Sequence, residues 1–268
     1  MRIWIVGPIA WDTVLYINTV PETGGFTHAK KHEERPGGQA LNIATALANS
    51  QFDVGICGYV GDDLVGKDLL AIISEGKISA SYINKFPHPT PHVVVLVDNN
   101  GERTMIGMEK SYFGEIKLNL DLIKAEDLVV WPIWRNGMKE DFDLVKAKGC
   151  STIVGLGALS EEIAADIAVG SQWELPKDFK SEDFLSKFPR IIATDNEKGS
   201  CEFTAAGVIT QPALPATVVD TTGAGDAFVC GVVKAFAEGK TGAETLKIAA
   251  TWAAKTVESN SSVPPAWN

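Results

Sequence analysis

Short apolar runs alternating with helical patterns constrain this chain more than any other feature. Ile3–Val6, Val54–Cys57, Leu128–Trp131, Ser151–Val154 and Arg190–Thr194 are each too short for a stable helix. They lack the strict polar alternation of a half-exposed strand and read as strands buried on both faces. Between them, Gln39–Asn49 places Leu41, Ala44, Thr45 and Ala48 on one stripe, and Asp63–Glu75 gathers Leu64, Leu69, Ile72 and Ile73. Two further helices close the chain, near Gly225–Glu238 and Thr241–Glu258. This alternation predicts an α/β fold, a mostly parallel central sheet flanked by helices. Ligands in such a fold bind beyond the carboxyl ends of the strands.

Two stretches break the pattern. Thr13–Val20 and Phe26–Glu34 read as strands around Pro21-Glu22-Thr23-Gly24-Gly25. Val93–Val97 and Arg103–Met108 read as a hairpin across Asn99-Asn100-Gly101, because Asn-Gly supplies the positive φ of a tight turn. A small antiparallel flap over one end of the main sheet is the simplest use for all four. No repeat or linker divides the 268 residues, so 1–268 is expected to be one domain with strands inserted at about 13–35 and 92–108.

The net charge of −10 leaves no general basic face for nucleic acid. No apolar run reaches the ~18 residues of a membrane span. The start, Met1-Arg2-Ile3-Trp4-Ile5-Val6-Gly7, is too short for a signal peptide. Cys57, Cys150, Cys201 and Cys230 form no metal-ligand spacing and suit reduced, buried thiols. The expectation is a soluble cytoplasmic protein.

The chemistry concentrates at Asp220-Thr221-Thr222-Gly223-Ala224-Gly225-Asp226, between the apolar Val218-Val219, read as a strand end, and the helix that follows. Small residues at 223–225 let backbone amides approach a ligand, and the first amides of a helix point outward at its positive end. That is an anion hole for a phosphate, with the Asp226 carboxylate in the same turn to take a proton from a hydroxyl held there. Spacing alone equally admits a plain helix start capped by Thr221 or Thr222. No G-x-x-x-x-G-K-[ST] occurs, and neither glycine cluster has dinucleotide-fingerprint spacing.

A second segment supplies an acceptor site. Pro36-Gly37-Gly38-Gln39-Ala40-Leu41-Asn42 opens the first core helix. Its glycine pair lets a substrate lie against backbone, Asn42 can meet a hydroxyl, and Asp12 follows the first strand near the same sheet end. Each part also has a bland reading, as a turn or a solvated helix start.

Taken together, these segments resemble the ribokinase-like (PfkB) carbohydrate kinases over nearly the whole chain. The markers are Gly7–Asp12, Gly37-Gly38 through Asn42, Gly58–Asp63 with Gly66, and Asp220–Asp226. The resemblance implies a Rossmann-like, ribokinase-like core with a β-sheet lid. It implies ATP with Mg²⁺ as donor, and Asp226 as catalytic base. Gly223, Ala224 and Gly225 would form the anion hole, while Asp12, Gly37, Gly38 and Asn42 would hold a small sugar or sugar derivative. Glu174, Thr194, Gly199 and Asp220 would serve the nucleotide and its Mg²⁺, with no direct protein ligand to the metal assigned. A homodimer through the lid is the implied assembly.

The chain also departs from the family pattern. Ser171-Gln172-Trp173-Glu174 stands where an Asn-x-x-Glu segment is usual, and Asn196 replaces the first glycine of Thr194-Asp195-Asn196-Glu197-Lys198-Gly199. Glu258–Ser262 lacks the usual Gly-Ala. These changes fall on the nucleotide side and put potassium activation, through the loop at Asp220, in doubt.

Lesser signals read as structure. Trp131 and Trp134 suit packing and Arg135 solvent, although Arg135 could meet an acidic substrate group. Lys30, Lys31 and Arg103 on the flap could cover an anionic substrate. The scattered histidines, His28, His32, His88 and His92, suit the surface, and no hydrolase elbow occurs. The resulting expectation is ATP-dependent phosphorylation of a sugar hydroxyl, primary by preference. A nucleoside kinase, left open by Trp11 beside Asp12, and a sugar-binding sensor with impaired ATP use are the alternatives.

Overall fold

The computed structural model describes residues 1–108 and 116–267. Its strands and helices run in chain order as β1 (Ile3–Val6), β2 (Ala10–Tyr16), β3 (Lys31–Gly37), α1 (Gln39–Asn49), β4 (Val54–Gly61) and α2 (Leu64–Glu75). Then come β5 (Ile78–Phe86), β6 (His92–Val97), β7 (Arg103–Gly107), β8 (Leu128–Trp131), α3 (Lys139–Ala147) and β9 (Ser151–Gly155). The remainder is β10 (Ile167–Ser171), β11 (Ile191–Thr194), β12 (Ser200–Thr204), β13 (Gly207–Gln211), α4 (Ala224–Ala237) and α5 (Ala243–Val257).

Nine strands form the main sheet in the order β13-β12-β11-β10-β9-β8-β1-β4-β5. It is parallel except at β12 and β13, which return antiparallel at one edge. The chain leaves β1 toward β4 on one side and comes back through β8 on the other. The carboxyl end of β1 therefore lies at the crevice where the strand order reverses, the usual ligand position in an open α/β sheet.

Residues alternate between the two faces. Ile3 and Ile5 join the cluster under α1, α2, α4 and α5, while Trp4 and Val6 join the opposite cluster with Trp131, Trp134 and Phe142 of α3. Trp131 and Trp134 are thus packing residues, and Arg135 is exposed.

The second sheet has four strands in the order β3-β2-β6-β7. It is mixed rather than purely antiparallel, because β2 and β6 run parallel. The flap strands are also shifted from the sequence reading. The first starts at Ala10, and the second runs Lys31–Gly37, so Gly37 ends a strand instead of starting a turn. The β6–β7 connection is wider than a two-residue turn: only Gly101 has positive φ, and Asp98 Oδ1 accepts from the amides of Asn100 and Glu102. Residues 212–219 carry no strand, and Val218 and Val219 are exposed, so the strand read before Asp220 is absent. Its apolar pair lacks a neighbouring strand to complete.

Part of the Gly58–Asp63 marker is a brace. Asp63 caps α2 through the Gly66 amide at 2.7 Å and accepts from Thr90 N and Oγ1 at 2.7 and 2.6 Å. Thr90 in turn accepts from Gly61 N at 2.9 Å. The start of α2 is thereby tied to the entry of β6 and hence to the small sheet.

Candidate active site

The sheet topology brings residues far apart in sequence to one crevice. Asn42 projects from the first turn of α1, and Asp226 from the first turn of α4. Asn42 Nδ2 donates to Asp226 Oδ2 at 2.9 Å, and the Gln39 side chain donates to the same carboxyl. Burial pushes the Asp226 carboxyl up to about 7, against the pull of Asn42, Gln39 and Arg103 on β7, while Asp12 adds a small push upward. Asp226 and Asp12 thus sense each other across the crevice, and the small sheet reaches over it through Arg103.

Asp12 lies on β2 directly opposite Arg35 on β3. Burial raises it to about 6, partly offset by Arg35 and His92. Its carboxylate occupies the space a side chain at Gly37 would need. The next residue, Gly38, caps α1 at φ +92°, a conformation that L side chains rarely adopt.

Two polar groups here are orphaned. Asn42 Oδ1 is buried with no hydrogen-bond partner among the described residues, and so are Arg35 Nε and Nη2. Buried polar atoms in folded proteins are nearly always paired, so each marks a place where a ligand atom completes the structure. A cavity of about 330 Å³ opens beside them, bordered by Arg35, Asn42, Thr45 and residues 260–263.

At the start of α4, Gly223 takes φ +80° and no side chain caps the helix. Neither threonine serves as the N-cap; instead Thr222 donates through N and Oγ1 to Asp220 Oδ1, at 2.7 and 2.6 Å. The Ala224 amide turns back to Thr221 O at 3.3 Å. That leaves the amides of Gly225 and Asp226 as the principal donors toward an anion, with Ala224 a lesser one. Ser262 O sits where a Gly223 Cβ would be, so residues 260–262 pack directly on this helix start.

The nucleotide-side residues lie at the carboxyl ends of neighbouring strands. Ser171 pairs with Thr194 across β10 and β11. Ser171 replaces asparagine but keeps the turn, because it forms a reciprocal capping box with Glu174, whose Oε1 accepts from Ser171 N at 2.8 Å. Asn196 adopts φ +44°. Asparagine is among the few residues that tolerate this region, so it can stand where the pattern has glycine. Lys198 Nζ lies 2.9 Å from Asp195 Oδ2, which neutralises one of the two acids of this loop.

Sequence reasoning thus found Asp12, Gly37, Gly38, Asn42, Asp226 and the 223–225 turn, and the structure brings them together. Glu174, Thr194 and Gly199 cluster separately at the β10 and β11 ends. It missed Arg35 and Gln39. Both flank the glycine pair, and Arg35 is the one basic residue in register with Asp12.

Comparison with known proteins agrees with this geometry. The chain is 26% identical over 263 residues to an ATP-dependent ribose-1-phosphate kinase of Halopiger xanaduensis, covering 87% of this chain and 84% of that protein. It is 25% identical over 292 residues to a ribokinase of Arabidopsis thaliana, covering 97% and 77%. Among solved structures, Arabidopsis ribokinase complexed with ribose and ATP superposes with TM-score 0.79 at 24% identity, covering 99% of this chain and 96% of that one. A Burkholderia thailandensis nucleoside kinase in complex with inosine gives TM-score 0.81 at 19% identity, covering 98% and 93%. Residues 8–131 and 182–268 match the pfkB family carbohydrate kinase, a span that includes both halves of the crevice and the Asp220–Asp226 turn, and the chain belongs to that family.

Proposed function

We propose that this protein transfers the γ-phosphoryl group of ATP to a hydroxyl, by preference a primary one, of a sugar or sugar derivative. The Asn42–Asp226 contact at the uncapped start of α4 carries this reading. It places a proton acceptor of pKa about 7 in the same helical turn as the free amides. A base is most effective when its pKa lies near the working pH.

In the proposed reaction, Asp12, the Gly37-Gly38 backbone and Asn42 hold the acceptor. Asp226 takes the hydroxyl proton as the oxygen attacks phosphorus, and the amides of residues 223–226 receive the charge on the moving phosphoryl group. Mg²⁺ bound with ATP supplies neutralisation of the phosphates. Glu174 fits an outer, water-mediated role toward it, since one of its oxygens is already committed to Ser171. Thr194 and Gly199 frame the phosphate loop. Asp220 braces the Thr222 turn in this reading. The small sheet acts as a lid, whose closure excludes water and protects ATP from hydrolysis. Its edge strand β7 is exposed along its length and carries Met105 and Ile106, which supports a homodimer formed through this sheet.

Trp11 is tied into the small sheet and the core: its Nε1 donates to Glu34 at 2.6 Å, and its partly buried ring packs on the core. That favours a sugar over a nucleoside.

ADP release across a panel of sugars, sugar acids, sugar phosphates and nucleosides tests the reading. Asp226→Ala should lower turnover by about 10²–10⁴ and leave acceptor binding nearly intact. Near wild-type turnover in that variant would remove Asp226 from the role of base.

A further inference from the structure

We infer that the acceptor is anionic, a sugar carrying a phosphate monoester or a carboxylate, and that Arg35 is the residue that selects it. This rests on the assignment of the crevice as an acceptor site and deepens it.

The guanidinium is enclosed, with its side chain 15% exposed. Its Nε and Nη2 have no hydrogen-bond partner among the described residues. These two N–H groups form one edge of the planar fork, the geometry that grips a carboxylate or phosphate with two parallel bonds. A buried charged donor left unpaired is costly, more so than a neutral one. Such an arrangement persists where a ligand supplies the missing acceptor.

Neither neighbouring acid takes that place. Asp12 is directly opposite in register and makes no hydrogen bond to Arg35. Glu33 approaches only the other side of the fork, with its Oε2 3.9 Å from Nη1. Glu33 is itself paired with Lys31 and accepts from Tyr16 at 3.4 Å. Among the described residues, the free edge of the fork is therefore unclaimed by the charges around it.

The surroundings suit an anion on the far side of the acceptor. Arg35 and Asn42 border the same cavity, with Glu33 the one acid on its wall among the described residues, and Asn42 also touches Asp226. A sugar with its reacting hydroxyl at Asp226 and its other hydroxyls at Asp12 and Asn42 would direct its remote substituent toward Arg35. Ser261, on the cavity wall, accepts from Val263 N at 3.1 Å, so its hydroxyl proton remains free to donate to that substituent.

The test compares matched acceptors: ribose with ribose 1-phosphate, ribose 5-phosphate and ribonate, and glucose with glucose 6-phosphate and gluconate. Binding is measured by calorimetry without nucleotide, and turnover by ADP release with MgATP. A charged member should bind about 10–100-fold more tightly than its neutral parent, the range of a charged hydrogen-bond pair. Arg35→Met should erase that gap by weakening the charged acceptors at least about tenfold more than the neutral sugar, and Arg35→Lys should restore only part of it, because lysine lacks the fork. The phosphate and carboxylate arms identify the source of the anion. Neutral sugars binding as tightly as every charged relative would overturn the inference. So would Arg35→Met weakening neutral and charged acceptors alike, which would make Arg35 a brace of the lid. Arg35-dependent binding of an anionic sugar without ADP release keeps the anion site and removes the kinase assignment. Efficient turnover of a neutral sugar, unaffected by Arg35→Met, does the reverse.

Discussion

Replacing Asn42 by alanine takes one donor from Asp226 and leaves Gln39 as the side chain still bonded to it. The bond removed runs from a neutral amide to an ionised carboxylate at 2.9 Å in a buried crevice. Hydrogen bonds to charged groups contribute about 1.5–3 kcal/mol. At ~1.4 kcal/mol per pKa unit this is a rise of about 1–2 units. From a starting value of about 7, the carboxyl moves to roughly 8–9. The ionised fraction at pH 7 then falls from about a half to between about a tenth and a hundredth, and kcat/KM at that pH falls in proportion. The assay is kcat/KM for the best acceptor from pH 5.5 to 10 at saturating MgATP. The acid limb should move up by ~1–2 units, with the pH-dependent part of the loss recovered above pH ~9. In the proposed reaction Asn42 also holds the acceptor, so the plateau drops as well. Only the position of the limb reports on Asp226. A limb that stays in place, or shifts to lower pH, would show that Asp226 is not the titrating base or that Asn42 does not hold its charged form.

The same burial makes a stability prediction. Asp226 titrates at about 7 in the folded chain against an ordinary 3.8. The folded state therefore keeps a proton that the unfolded state has released, and stability falls as pH rises between those values. Asp226→Asn removes the cost of the buried charge: it should be about 2–4 kcal/mol more stable than wild type in urea at pH 8, and no more stable near pH 4. Equal gains at both pH values would refute the account. Gly223→Ala forces a side chain into φ +80° and against Ser262 O. The strain is about 1–2 kcal/mol, and displacement of the helix-start amides should lower kcat by about 10²–10³. Unchanged kcat would show that the turn does not bind the transferring phosphoryl group. Away from the site, Arg190 pairs with Glu202, which is 0% exposed, and donates to Thr245 Oγ1 at 2.9 Å. Arg190→Met should cost about 3–5 kcal/mol in urea unfolding, because it strands a buried carboxylate; a loss under ~1 kcal/mol would mean that Glu202 finds another partner or reaches solvent.

The elements legible in the sequence are those whose apolar pattern has one use. Gln39–Asn49 forms the expected helix to the residue, and Ile3–Val6 and Leu128–Trp131 the expected strands. The unread elements carry ambiguous patterns. Ile167–Ser171 ends in Gly-Ser, and the hairpin Ser200–Gln211 mixes Cys, Glu and Thr with apolar residues. Val218-Val219 is apolar but forms no strand: both side chains are exposed, and the Val219 amide donates to Val257 O at the end of α5. At the crevice, Asp12, Gly38, Asn42 and Asp226 were singled out by the motifs of the family resemblance, because spacing alone left a plain helix start open. Arg35 and Gln39 were not, because their roles depend on cross-strand register and on the meeting of α1 with α4.

The energetic irregularities of this chain separate by what could relieve them. Glu202 Oε2 is orphaned and buried, but its other oxygen is held by Arg190. That defect is closed within the fold and calls for nothing from outside. The crevice is different. Two carboxyls sit above their ordinary range, at Asp12 and Asp226, and an amide oxygen lacks a donor and a guanidinium edge an acceptor among the described residues. The adjoining helix also begins without a cap. Local rules broken together in one concave place mark a site built for a ligand rather than for stability. The unmet needs specify the occupant. Asn42 Oδ1 needs a donor, the Asp12 carboxylate accepts hydroxyls, Asp226 needs an acidic proton, the α4 amides need a phosphoryl oxygen and Arg35 needs an anion. A polyhydroxyl acceptor bearing a negative group, placed beside a phosphoryl donor, meets all five. A neutral sugar leaves Arg35 unmet, which is why the comparison of charged and neutral acceptors bears most directly on what this protein acts upon.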